Sequence, residues 1–204
     1  MRTRDIALVS ILTAATVAVA FAKGLSIPSL PGLVEFMTVL IFISGFCFGP
    51  FIGASIGILS ETIYQLVPFP FAHPAGWLFV ISPILLGIMA LLGAMYGVAG
   101  GILGKRRQGK TGRRILIEMG LSGFILTLIF DIMSSVGFYL AYPVFDFWTT
   151  LLWTFVPAYY PYPPIVHTVT NTLVFLVIAP PLINRIEALQ LSTPGVGQNK
   201  QEKA

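Results

Sequence analysis

Long apolar stretches interrupted by short polar breaks dominate the chain, and their lengths set the first expectation. About 20 helical residues cross the roughly 30 Å of hydrocarbon in a bilayer. Apolar runs of that order lie near residues 5–23, 33–49, 51–67, 76–103, 115–142 and 164–186. They predict an all-α integral membrane protein with six transmembrane helices, forming one domain over residues 1–191. The second and third runs are short and are separated only around Gly49 and Pro50, so a tight helical hairpin is expected there. The fourth and fifth are overlong and should tilt or project beyond the bilayer. The polar segment 192–204, "STPGVGQNKQEKA" with the serine at its start, is expected to be a disordered tail.

Within the runs, small residues recur every fourth position. Ala14, Ala18 and Ala22 form such a ridge in the first, Gly49, Gly53 and Gly57 at the start of the third, and Gly93, Gly97 and Gly101 in the fourth. Ridges of this kind let helix backbones approach closely. For the glycines the simpler expectation is packing inside the chain, whereas the alanine ridge suits either an internal neighbour or a partner helix.

Composition sharpens the membrane reading. The chain has 204 residues, of which 56% are hydrophobic and 10% charged, against about 25% charged in a soluble domain. Its polar surface is too small to cover a water-soluble globule. The net charge of +4 is no nucleic-acid signal, because the cations are grouped. Arg2 and Arg4 precede the first run, six Lys and Arg side chains fall within 104–114, and Arg185, Lys200 and Lys203 lie at or beyond the last run. Six spans place all of them on one side and leave only Lys23 on the other, which makes that side cytoplasmic, with both termini on it. The competing reading of the N-terminus as a cleavable signal fits less well, because its apolar run is longer than a signal core. The single cysteine, Cys47, excludes a disulfide framework within the chain.

One stretch spells a nucleotide site. Gly104, Gly109, Lys110 and Thr111 satisfy G-x-x-x-x-G-K-[ST], but a P-loop needs a strand before it and a helix after it. Here it joins two apolar runs, so it reads as a basic loop between membrane helices.

Polar side chains inside a span are costly and therefore functional candidates. Asp131 lies two-thirds along the fifth run, with Ser135, Phe138 and Tyr142 following at helical spacing. His167 and Asn171 are one turn apart near the start of the sixth, Glu35 opens the second, and Glu61 lies near the middle of the third. The connection between the fifth and sixth runs is rich in aromatics and prolines. Part of that enrichment is an ordinary interfacial belt, but a stiff connection of this length also suits a lid or binding loop. Asp131, His167 and a serine nominally compose a triad, yet no nucleophile elbow, oxyanion turn or H-E-x-x-H zinc motif is present. A small-molecule pocket lined by aromatics and a few hydrogen-bonding groups is the better class, with no cofactor or metal expected.

From Arg4 to about Arg185 the chain resembles the substrate-binding S components of energy-coupling factor (ECF) vitamin transporters. The resemblance rests on the alanine-ridged first helix preceded by basic residues, on "ISGFCFGPFIGASIGILSE" joining the second and third helices, on the basic loop, and on "IVHTVTNTLVFLVIAPPL" opening the sixth. It implies a multi-pass plasma-membrane subunit of six helices, with a vitamin or related micronutrient bound at the outer end by Asp131, Ser135, Phe138, His167, Asn171 and Trp77. It also implies docking of Ala14 and Ala18, extended by Ala22, on a transmembrane T component. Two cytoplasmic ATPases would complete the importer, so nucleotide chemistry would belong to them, and the loaded subunit would topple in the bilayer to release its cargo. The carboxylates and aromatics suit a cationic or neutral heteroaromatic ring, while Lys23 and His167 equally suit a carboxylate. The alternative from another class is a structural six-helix membrane protein of the rod-shape family MreD.

Overall fold

The structure is a computed structural model that describes residues 2–26, 35–67, 82–106, 113–144, 146–155 and 164–192. The described residues are helical wherever they are regular: α1 (Thr3–Ser26), α2 (Phe36–Phe48), α3 (Pro50–Leu66), α4 (Pro83–Arg106), α5 (Arg113–Ala141), α6 (Phe147–Phe155) and α7 (Pro164–Ser192). The polar tail 193–204, Trp77 and the central part of the basic loop lie outside them.

Local chemistry sets several boundaries. Asp5, in the first turn of α1, accepts a 3.0 Å hydrogen bond from the Arg2 backbone N–H. This closes an otherwise unmatched donor and places negative charge at the positive end of the helix dipole. α2 stops at Gly49, whose φ of 103° is a backbone conformation that glycine adopts without a Cβ penalty. The next residue, Pro50, opens α3, where its missing N–H is not needed. Gly49 alone therefore joins the two helices, and they fold back on each other so that Gly53 meets Gly45.

The glycine ridges are used inside the chain. Gly57 lies against Gly93, Gly53 against Gly97, and Pro50 against Gly101, so α3 and α4 run antiparallel along a seam of bare backbone. On the adjoining part of the same face of α4, Gly100 meets the carbonyl of Phe42 and Gly104 that of Phe46, so α2 and α4 run parallel. Gly104, the first glycine of the nucleotide-like pattern, is thus a helical packing residue, which removes the strand-to-loop context a P-loop requires. Below the seam, Phe42 and Phe175 meet edge to face at 5.2 Å, and Tyr96 completes the cluster; all three are fully buried.

Polarity is arranged inside out. Ile11, Phe51, Leu91, Ile117 and Val177 are 66% to 70% exposed, whereas Thr38, Glu61, Gln65, Thr127, Asp131, Thr168 and Asn171 are buried. Such an exterior suits hydrocarbon rather than water. By length and composition four helical stretches can cross a membrane: Thr3–Ala22, Pro83–Arg106, Arg114–Ala141 and Val166–Leu189. α2 and α3, at 13 and 17 residues, are shorter.

The stiff connection expected after α5 contains a helix, α6, that the sequence reading did not place. Asp146 caps that helix: its carboxylate accepts from the Thr149 hydroxyl and from the Thr149 backbone N–H. These bonds favour the ionised form and hold the Asp146 carboxyl below its ordinary pKa, so the cap is intact at neutral pH and is lost only as pH falls through that lowered value. An Asp three residues before Thr, followed by an apolar run, is a helix-start signal that the prolines and aromatics on either side obscure.

Candidate functional site

One end of the bundle opens into a cavity of about 320 Å³. The N-terminal ends of α2, α4 and α7 meet there with the C-terminal ends of α3 and α5, so the cavity lies at the end of α4 and α5 opposite the basic loop that joins them. α2 contributes Met37, with Glu35 just before it; α3 contributes Glu61, Tyr64 and Gln65; α4 contributes Leu85 and Met89. α5 presents Phe130, Asp131, Ser134, Ser135 and Phe138 along one face, and α7 adds His167.

Asp131 is 8% exposed, and each carboxylate oxygen is engaged. One lies 2.8 Å from His167 Nδ1, and the other accepts from the Thr168 hydroxyl at 3.0 Å. Against an ionised Asp131 the imidazole Nδ1 carries the hydrogen. An intramembrane carboxylate is thereby matched across two helices, α5 and α7, at the cavity wall. The hydroxyls of Ser134 and Ser135 donate to the Asp131 backbone carbonyl, at 3.0 and 2.7 Å. They are turned along their own helix rather than toward His167, so the three side-chain types do not assemble a nucleophile and its base. Among the described residues no three His, Cys, Asp or Glu side chains come together as metal ligands.

The structure brings Asp131, Ser135, Phe138 and His167 to one cavity, as four of the residues that the sequence singles out. Asn171 is placed elsewhere. It is fully buried one turn deeper than His167 and does not line the cavity. Its side-chain amide donates to Thr127 at 2.9 Å and to Thr38 at 3.3 Å, while Tyr96 donates to Thr127 at 3.2 Å. These bonds tie α2, α4, α5 and α7 together beneath the site. Asn171→Ala should therefore lower stability by about 1–3 kcal/mol, the usual cost of orphaning buried partners. Chemical or thermal unfolding of the detergent-solubilised chain measures this, and an unchanged unfolding midpoint would remove the bracing role.

The cavity also contains residues that sequence reasoning did not assign to it. Glu61 was notable as a charge within an apolar run, but its partner Gln65, and Tyr64 beside them, were not. Glu61 and Gln65 are 1% and 3% exposed, and Gln65 Nε2 donates to Glu61 Oε2 at 3.3 Å. The remaining oxygens of this pair, Glu61 Oε1 and Gln65 Oε1, are buried without a hydrogen-bond partner. The signal available in the sequence was their four-residue spacing, which puts two polar side chains on one face of an apolar helix.

An apolar exterior, several membrane-length helices and an end cavity lined by apolar, aromatic and a few polar side chains define a multi-pass membrane protein built to hold a small molecule. The family model described as "ECF transporter, substrate-specific component" matches residues 4–184, and the chain belongs to that family. No individual curated protein and no solved structure matches it. It is the substrate-binding subunit of an ECF importer in the plasma membrane. Subunits of this class are non-catalytic, bind a substrate, and work with a T component and ATPases.

Proposed function

We propose that this subunit is a six-helix bundle, with both termini cytoplasmic, that captures a vitamin or related micronutrient from outside the cell. In this reading α2 and α3 are the two short spans, and the basic 104–114 segment is a cytoplasmic loop. The observation that carries it is the cavity at the end of α4 and α5 opposite that loop, walled by Asp131, His167, Phe138 and Ser135. Positive charge retained on the cytoplasmic side makes the cavity end the outer one. Trp77 remains a proposed contributor to the outer rim.

Docking on the T component through Ala14, Ala18 and Ala22 is supported by the orientation of α1. These three alanines are exposed, while Thr13, Thr16, Val17 and Ala20 face inward. A flat alanine strip turned away from the bundle suits a second helix. Two cytoplasmic ATPases then drive the loaded subunit to topple within the bilayer, presenting its pocket to the cytoplasm.

Native mass spectrometry of the purified chain tests the binding role. The expected result is a bound small molecule that is lost on unfolding, and a folded chain that carries none after exposure to cell extract counts against it. Orientation is tested separately. A cysteine placed by Gln108→Cys should resist a membrane-impermeant thiol reagent in intact cells and react after permeabilisation. Labelling in intact cells would invert the topology.

A further inference from the structure

We propose that the cavity selects a small organic cation bearing N–H donors, of the amidinium or protonated aminoheterocycle type, and that Glu61 and Gln65 are its specificity-determining pair. The inference rests on the binding role above and names the chemistry of the same site.

Several polar groups at the cavity are already occupied. Both Asp131 oxygens are engaged by α7, and the Ser134 and Ser135 hydroxyls are engaged by their own helix. Glu61 Oε1 and Gln65 Oε1 are not. In the structure the Gln65 NH₂ is turned toward Glu61 Oε2, the orientation that an ionised Glu61, the form that would pair with a cation, requires. Its own oxygen is therefore left over, one helical turn from Glu61, whose Oε1 is also without a partner. Two buried acceptors on one helix face match the adjacent N–H donors of an amidinium-like edge, and charge-assisted bonds of this kind are the stronger class.

The rest of the wall agrees. Its described residues include three carboxylates, Glu35, Glu61 and Asp131, and no Lys or Arg. A ligand carboxylate would face mainly acceptors, since the His167 imidazole in this wall is already turned to Asp131, whereas a cation with N–H donors would meet partners. Phe130, Phe138 and Tyr64 offer ring faces to a planar or cationic group. A volume of about 320 Å³ is at the small end of ligand sites and suits one heterocycle with short substituents.

Three probes of one shape separate the possibilities: benzamidinium, neutral benzamide and anionic benzoate, titrated into the detergent-solubilised full chain by calorimetry. Benzamidinium should bind at least about tenfold more tightly than benzoate, with benzamide between them. Glu61→Gln should weaken benzamidinium about tenfold or more, a difference of roughly 1.4 kcal/mol or more. Where Glu61→Gln fails to fold, Gln65→Met, which removes one acceptor at similar volume, should weaken it measurably. Benzoate binding as tightly as benzamidinium, no binding of benzamidinium, or unchanged affinity in a folded variant would each overturn the proposal. A co-purified compound that is anionic or lacks N–H donors also overturns it, while leaving the substrate-binding role standing. A folded chain that takes no probe and carries no small molecule would overturn both.

Discussion

Ala14→Trp or Ala18→Trp should abolish uptake by the assembled transporter and leave the substrate affinity of the isolated chain unchanged. Both alanines lie on the exposed face of α1, and the inward face of that helix is filled by Thr13, Thr16, Val17 and Ala20. Among the described residues none of α1 lines the cavity, so a bulky ring at Ala14 or Ala18 does not reach the ligand. It does prevent a partner helix from approaching to backbone contact, which is the condition for dispersion-driven packing in lipid. Val177→Trp supplies the control, because Val177 is 70% exposed on α7 and belongs to no small-residue ridge. Uptake of the compound identified by mass spectrometry, measured beside calorimetry on the purified subunit, separates the two functions. Parallel loss of binding and uptake would show that the ridge supports the bundle rather than a partner. Uptake at the wild-type level in both variants would remove the docking role.

Gly97→Val should prevent the bundle from assembling. A Cβ on Gly97 would lie 2.1 Å from the carbonyl carbon and oxygen of Gly53, and a Cβ on Gly45 would lie 2.0 Å from the Gly97 carbonyl oxygen. The obstacles to Gly97→Val are backbone atoms of Gly53 and Ala54, so no rotamer change relieves them and α3 and α4 must separate. Overpacking typically costs 1–3 kcal/mol where side chains can adjust. Here the loss should exceed about 3 kcal/mol and appear as failure to recover folded monomer. Gly87, in the same helix, has nothing within 4 Å of its added Cβ. Gly87→Ala should be neutral or stabilising by up to about 1 kcal/mol, through helix propensity alone. Equal yields and unfolding midpoints for Gly97→Val and wild type would contradict the backbone seam.

The two variants also mark the boundary of what a linear reading can reach. The four-residue spacing of small side chains is visible in the sequence for α1 and α4 alike. Whether such a ridge faces inward or outward is not, because a helix has the same period on every face. Only the register of α4 between α2 and α3 places Gly93 and Gly97 against other glycines, and only the packing of α1 through Thr16 and Val17 leaves Ala14 and Ala18 outside.

The same division runs through the site. The apolar runs, the break at Gly49 and Pro50, and the scarcity of charge follow from hydrocarbon thickness and helix geometry, which act locally and so are legible residue by residue. Asp131 and His167 were legible as candidates for the same reason, since a polar group in a span needs a partner. Their mutual contact was not, because it joins residues 36 apart in sequence, and separation along the chain says nothing about distance across a bundle. Asn171 shares a helix face with His167, yet that shared face continues downward into the core, where Thr38 and Thr127 meet its amide. Glu61 and Gln65 became a recognition pair only when the ends of four other helices closed a cavity over their unpartnered oxygens. Sequence alone thus determined that this is an apolar helical membrane protein and which side chains lipid would not tolerate unpaired. The tertiary packing decided which of them satisfy one another and which are left facing a ligand, because hydrogen bonding across helices depends on register and depth rather than on spacing.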